Sequence, residues 1–175
     1  LDLATVAARG ITVGLYPTNP AAEVEYLLAD SGAAVHLAED QEQYDKVVES
    51  NPDYVRSVQK IIYVEPRGFG DYDDDRLIHW DDYHELGRRH KAEFPDAVAR
   101  RMAEAEEGDV MTLVYTSGTT GPPKGAMLNN KNVQFCIDVI INAPNRVPGG
   151  PPTPDDLIVT YLPLCHVAVR IFSSW

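Results

Sequence analysis

Basic charge, cysteine and long apolar runs are all scarce in this sequence, and each scarcity removes a class of function. The 175 residues carry 15 Lys+Arg against 27 Asp+Glu, a formal net charge of −12. Proteins that grip nucleic acid normally present a basic patch, so the acidic balance argues against a nucleic-acid partner. Cysteine occurs twice, at Cys136 and Cys165. That excludes a disulfide scaffold and suits a reducing compartment, so a cytoplasmic location is expected. No apolar run reaches the ~18 residues that a membrane-spanning helix needs. The first residues do not read as a secretory leader, because Asp2 is acidic and no basic stretch precedes the apolar positions. What remains is ordinary: 44% apolar and 24% charged residues, a composition that folds and buries a core without staples.

The ends are less ordinary. Leu1, Leu3, Ala4, Val6 and Ala7 already lie in helical phase, and residues 167–175 stop without a cap, a turn or a polar tail. Domains usually end in exposed polar linkers, so a piece of a longer protein is expected.

Between the ends, strands and helices alternate. A helix over Leu1–Arg9 closes at Gly10, expected at its C′ position, and Ile11, Val13 and Leu15 form a short strand. Asn19-Pro20 predicts a helix start, with Asn19 capping and Pro20 preset in the first turn. That helix carries Val24, Leu27 and Leu28 on one face and ends at Ser31-Gly32. Strands are expected at Ala33–Ala38 and Lys60–Glu65, with a polar helix over Gln41–Ser50 between them. This rhythm predicts parallel α/β packing. The acidic stretch Gly68–Glu85 does not match a calcium loop, and His79, His84 and His90 lack zinc spacing; it reads as a solvated surface loop with no metal site. Helices are expected over Tyr83–His90 and Pro95–Glu107, and over Asn132–Ile141, where Cys136 reads as a core residue.

The strongest strand, Asp109–Tyr115, runs straight into Thr116-Ser117-Gly118-Thr119-Thr120-Gly121-Pro122-Pro123-Lys124-Gly125. Gly118, Gly121 and Gly125 let backbone N–H groups approach a ligand closely. Thr116, Ser117, Thr119 and Thr120 offer four hydroxyls, and Lys124 a point positive charge. Many donors, one lysine and no carboxylate suit a polyphosphate. The Walker pattern fails, because Lys124 follows Pro123 and precedes Gly125.

The run Tyr115–Gly125 resembles the signature of the adenylate-forming (AMP-dependent synthetase and ligase) superfamily. Tyr161-Leu162-Pro163-Leu164-Cys165-His166 is similar to the Leu-Pro-Leu-x-His segment that follows it in these enzymes. Tyr16–Pro20 and the Ala33–Ala38 strand look like the bacterial long-chain fatty acyl-CoA synthetase branch, so the resemblance covers essentially the whole chain. It implies a partial three-layer α/β N-terminal domain with a largely parallel sheet. It also implies a reaction in which a fatty acid and ATP give an acyl-adenylate, which CoA then converts to a thioester. Thr116, Ser117, Gly118, Thr119, Thr120, Gly121 and Lys124 would bind the nucleotide, with Mg²⁺ accompanying the phosphates. His166 matches a residue near the acyl and adenylate pocket, implying a shaping role rather than proton transfer. A purely structural histidine remains the alternative there. The branch commonly follows with Glu-Arg, where this sequence has Val169-Arg170, which puts a local ion pair in doubt. Strand neighbours face opposite ways, so Cys165 and His166 do not form a nucleophile pair.

Further family signatures, a Tyr-Gly-x-Thr-Glu segment whose Glu binds Mg²⁺ and a Thr-Gly-Asp segment that binds ribose, do not occur in these residues. Residues 1–175 are therefore expected to be an incomplete AMP-binding domain without its C-terminal partner, inactive as a ligase alone. No residue in it is assigned a catalytic role. Peripheral membrane association of the full-length enzyme is compatible with a fatty-acid substrate. Two alternatives stay open: an aryl- or amino-acid-activating relative, and a truncated paralogue acting by protein interaction.

Overall fold

The computed structural model describes residues 1–116 and 121–141, together with positions 153, 157 and 166. Its elements run α1 (Asp2–Ala7), β1 (Thr12–Val13), α2 (Ala21–Ser31), β2 (Val35–Ala38), α3 (Gln41–Val48), β3 (Lys60–Tyr63), β4 (Leu77–His79), α4 (Trp80–Glu93), α5 (Ala97–Ala103), β5 (Val110–Thr116), β6 (Lys124–Asn129) and α6 (Asn130–Ile141). They fall into two units, Leu15–Ala97 and a second made of Leu1–Gly14 with Val98–Trp175. Each unit holds a three-stranded sheet, ordered β2-β3-β4 and β1-β5-β6. The α/β class with parallel strands is as expected, and β3 and β5 are the middle strands of their sheets. Among the described residues no helix is long and apolar enough to cross a membrane.

In Leu15–Ala97 the parallel strands β2, β3 and β4 pair in register, with His36 opposite Ile61 and Ile61 opposite Leu77. Val24, Leu27 and Leu28 are buried on α2, Tyr44 and Val47 on α3, and Ile61 and Ile62 on β3. Burying one such side chain contributes about 1.5–3 kcal/mol before entropy is charged against it. Phe69 stacks on Tyr63 with ring centroids 4.2 Å apart, and Tyr44 meets Tyr72 edge-on at 4.7 Å. A polar knot lies beside these rings. The Tyr44 hydroxyl donates to Asp74 Oδ2 at 3.0 Å, and the Arg76 guanidinium donates to both oxygens of the same carboxylate. The Arg76 hydrogen bonds hold Asp74 well down, at about 2, while burial pushes Tyr44 up to about 12.

Several expectations need correction. Asn19 does not cap α2: Pro20 is the boundary residue, extended at φ −68° and ψ 158°, and its carbonyl accepts from Glu23 and Val24. Pro20 keeps a helix-compatible φ but an extended ψ, so it serves as the cap and the helix begins one position later, at Ala21. Its far end is as read, with Gly32 left-handed at φ 63°. The acidic stretch is not a plain loop. It contains β4 and the start of α4, and it buries Phe69. Asp81 and Asp82 occupy the first turn of α4, where the helix dipole favours anions. The helix expected over Pro95–Glu107 is shorter, Ala97–Ala103. Cys136 is only half-buried on α6, so it is not a core residue.

Candidate functional site

The chemistry-bearing loop sits on the unit Leu1–Gly14 with Val98–Trp175. Its foundation is β5, rich in the Val, Leu, Thr and Tyr that suit a half-buried strand. The parallel neighbour β1 pairs Thr12 with Thr112 and Val13 with Leu113. Thr112 is buried, and its hydroxyl donates to the Thr12 carbonyl at 3.0 Å. On the other side β6 returns antiparallel, with Val114 opposite Ala126, Tyr115 opposite Gly125 and Thr116 opposite Lys124. Met111 is the extra residue where the register shifts between Val110 and Thr112.

Strand β6 was not foreseen. The sequence pattern assigns no element to residues 126–129, and Lys, Gly, Ala and Asn are poor strand formers. Pairing with β5 makes them a strand. Strands β5 and β6 thus form a hairpin, and its last described rung pairs Thr116 with Lys124.

The candidate residues divide accordingly. Thr116 and Lys124 are brought together as exposed cross-strand partners, and Lys124 makes no ion pair among the described residues. Gly121 is exposed with φ +92°, a conformation that L side chains rarely adopt. Ser117, Gly118, Thr119 and Thr120 lie outside the described residues. So does the Tyr161–Cys165 segment, as do Val169 and Arg170. His166 is half-buried in the same unit.

Residues missed by the sequence reading hold the base of the hairpin. Helix α1 ends in a Schellman arrangement: the Gly10 N–H donates to the Thr5 carbonyl and the Arg9 N–H to that of Val6. The left-handed residue is Arg9, at φ 60°, not Gly10. Gly10 is needed for space, because a Cβ there would come within 2.7 Å of Thr5 Cγ2. From this bend the Arg9 guanidinium donates to both oxygens of Asp109, at 2.9 and 3.0 Å. The Glu106 N–H donates to the same carboxylate at 3.0 Å. These bonds hold Asp109 below the usual carboxylate range, the Arg9 side chain contributing most. The Asn130 N–H donates to the Asp109 carbonyl, tying in the start of α6. Asn129 and Asn132 exchange backbone-to-side-chain hydrogen bonds of 2.9 and 3.1 Å, a capping box with Asn at both positions. The legible signal was an Asn pair three apart before an apolar periodic run.

The fold is that of adenylate-forming enzymes. ATP-bound MatB from Rhodopseudomonas palustris shares it with a TM-score of 0.61 at 21% identity, over 99% of this chain and 29% of that one. A malonyl-CoA ligase ternary product complex with methylmalonyl-CoA and AMP bound matches with a TM-score of 0.57 at 25% identity, over 97% of this chain and 28% of that one. The family model for AMP-binding enzymes matches residues 1–175, and the chain belongs to that family. It is 30% identical over 176 residues to the long-chain-fatty-acid–CoA ligase ACSBG2 of Mus musculus, covering 99% of this chain and 25% of that protein. The chain thus spans about a quarter of the length of the curated relatives it matches.

Proposed function

We propose that the chain is part of the N-terminal domain of an ATP-dependent fatty acyl-CoA ligase, and that its own contribution is to hold the phosphates of ATP in the hairpin Thr116–Lys124. The observation that carries this reading is the closing rung, where a hydroxyl and an ammonium with no carboxylate partner among the described residues flank a glycine-bearing tip. Membership of the AMP-binding family and likeness to proteins named as long-chain-fatty-acid–CoA ligases support it.

In the reaction, a carboxylate oxygen of the fatty acid attacks the α-phosphorus of ATP. The bond to the bridging oxygen breaks and pyrophosphate leaves. The CoA thiolate then attacks the acyl carbon and AMP departs. Lys124 and the hydroxyls would hold the β- and γ-phosphates and steady the charge on the leaving pyrophosphate, by positioning and electrostatics rather than proton transfer. Residues 116–125 carry no carboxylate to hold a hard cation by charge, so Mg²⁺ would enter on the phosphates. His166 would shape the acyl pocket.

In the full-length protein, Lys124→Ala with Thr119→Ala should raise the KM for ATP by about 10–100-fold, and leave the KM for the fatty acid nearly unchanged. Unaltered ATP affinity and turnover would refute the phosphate assignment. A substrate panel tests the finer reading: preference for long-chain fatty acids supports it, and preference for aromatic or amino acids moves the enzyme to another adenylating branch. The 175-residue chain alone should release no AMP in the presence of fatty acid, ATP and CoA; release would overturn the incomplete-domain reading.

A further inference from the structure

We propose that Tyr115 and Gly125 form a positioning pair that sets the Thr116–Lys124 rung: the tyrosine ring occupies the place a side chain at 125 would take. This rests on the phosphate-hairpin reading above and adds a specific cause for the hairpin's geometry.

The two glycines flanking Lys124 are required for different reasons. Gly121 has φ +92°, and among the described residues nothing lies within 4 Å of a Cβ built there, so its backbone conformation is what demands glycine. Gly125 is not among the positive-φ glycines. A Cβ built on it would lie 3.0 Å from Tyr115 Cζ, 3.1 Å from the hydroxyl oxygen and 3.3 Å from Cε1. Carbon pairs are comfortable only at about 3.5–4.0 Å. Position 125 is thus kept bare by the ring that lies across it. Tyr115 and Gly125 are direct cross-strand partners, one rung from the closing pair. A glycine within a strand weakens it, and an aromatic partner covering the gap restores the lost packing and pins the register.

Successive strand residues face opposite ways, so the Tyr115 ring is on the sheet face away from the Thr116 and Lys124 side chains. Tyr115 acts on the rung through the backbone and is a positioning residue, not a catalytic one. A methyl group at 125 must displace the ring or part the strands by a few tenths of an ångström, directly beside the lysine. Small displacements of binding groups are costly in rate, so the effect should fall on ATP and not on the acyl substrate.

The test is a double-mutant cycle in the full-length protein, reading the KM for ATP, the KM for the fatty acid and the urea midpoint. Gly125→Ala should raise the ATP KM about threefold to tenfold with the fatty-acid KM unmoved. In the Tyr115→Ala background, the same change should add nothing, because no ring remains to be displaced. In the Tyr115→Phe background, where Cζ remains, Gly125→Ala should keep its effect. Additive losses in the Tyr115→Ala background would overturn the proposal, since the glycine would then be serving the ligand directly. An unchanged ATP KM in Gly125→Ala, with no coupling in the urea midpoint, would also overturn it. Lys124→Ala separates the two readings. If it leaves the ATP KM unchanged, the phosphate assignment fails, while the Tyr115–Gly125 coupling is still read in the urea midpoint.

Discussion

The two units are held together by different means. Leu15–Ala97 contains every buried apolar side chain among the described residues, from Val24 to Phe69. In the unit built from Leu1–Gly14 and Val98–Trp175, the one buried residue among those described is Thr112, a polar one. Met127 is 69% exposed and Phe135 67%. That unit is organised by strand pairing, by the Arg9–Asp109 ion pair and by caps. Apolar burial is the dominant favourable term in folding, and hydrogen bonds and exposed ion pairs contribute little net. Among the described residues, the buried apolar core therefore belongs to one unit and the proposed chemistry to the other. The hairpin proposed to hold a polyphosphate needs exposed donors, and exposed donors do not build a core.

The largest expected effect tests that contrast directly. Leu27→Ala, at a site 2% exposed, should cost about 2–5 kcal/mol in urea unfolding. Phe135→Ala should cost less than about 0.5 kcal/mol, as an exposed position does. Equal losses would erase the distinction between the units.

A smaller effect lies inside the buried core. His36 is 8% exposed, and its Nε2 has no hydrogen-bond partner among the described residues. Burial pushes its pKa down from 6.5 to about 4. A base depressed in the folded state stays neutral there while the unfolded chain takes up a proton. Stability should thus be full above pH 6.5 and fall as pH drops towards 4, by about 3 kcal/mol at most. Asp74, held near 2, contributes in a separate window, lost only as pH falls from about 3.8 towards 2. Urea midpoints at pH 7 and pH 4.5 should differ in the wild type, and His36→Leu should flatten the difference. An unchanged slope in that variant would remove His36 as the cause.

The smallest effect concerns the other unit. Arg9 holds a left-handed conformation and an ion pair at once. Arg9→Ala loses the pair and keeps the strain, whereas Arg9→Gly loses the pair and relieves the strain. The alanine variant should therefore unfold at lower urea than the glycine variant. The reverse order would mean that the bend carries no strain.

Much of this was legible because it is local. The apolar run of β5, the Val24-Leu27-Leu28 face of α2 and its stop at Gly32 depend on residues within a turn or two of one another. The polyphosphate chemistry proposed for Thr116–Lys124 is likewise argued from neighbouring side chains. The misreadings share another origin. Strand β6 has little strand propensity and exists because β5 pairs with it. Gly10 looked like the left-handed residue, but Arg9 takes that role, held by a carboxylate one hundred positions away. Asp74 looked like one acid in a solvated run, yet Tyr44 and Arg76 enclose it.

By itself, then, the amino-acid sequence determined the α/β rhythm and the stop of α2 at Gly32, and it motivated the proposed ligand of the glycine- and hydroxyl-rich stretch, since periodicity, capping and side-chain chemistry act over a few residues. Tertiary structure alone decided that the strands divide into two sheets, that β5 and β6 form a hairpin whose last described rung pairs Thr116 with Lys124, and that the Tyr115 ring covers Gly125. Those outcomes depend on which distant segments pair and on what each then hides from water, and neither is encoded in any short window of the chain.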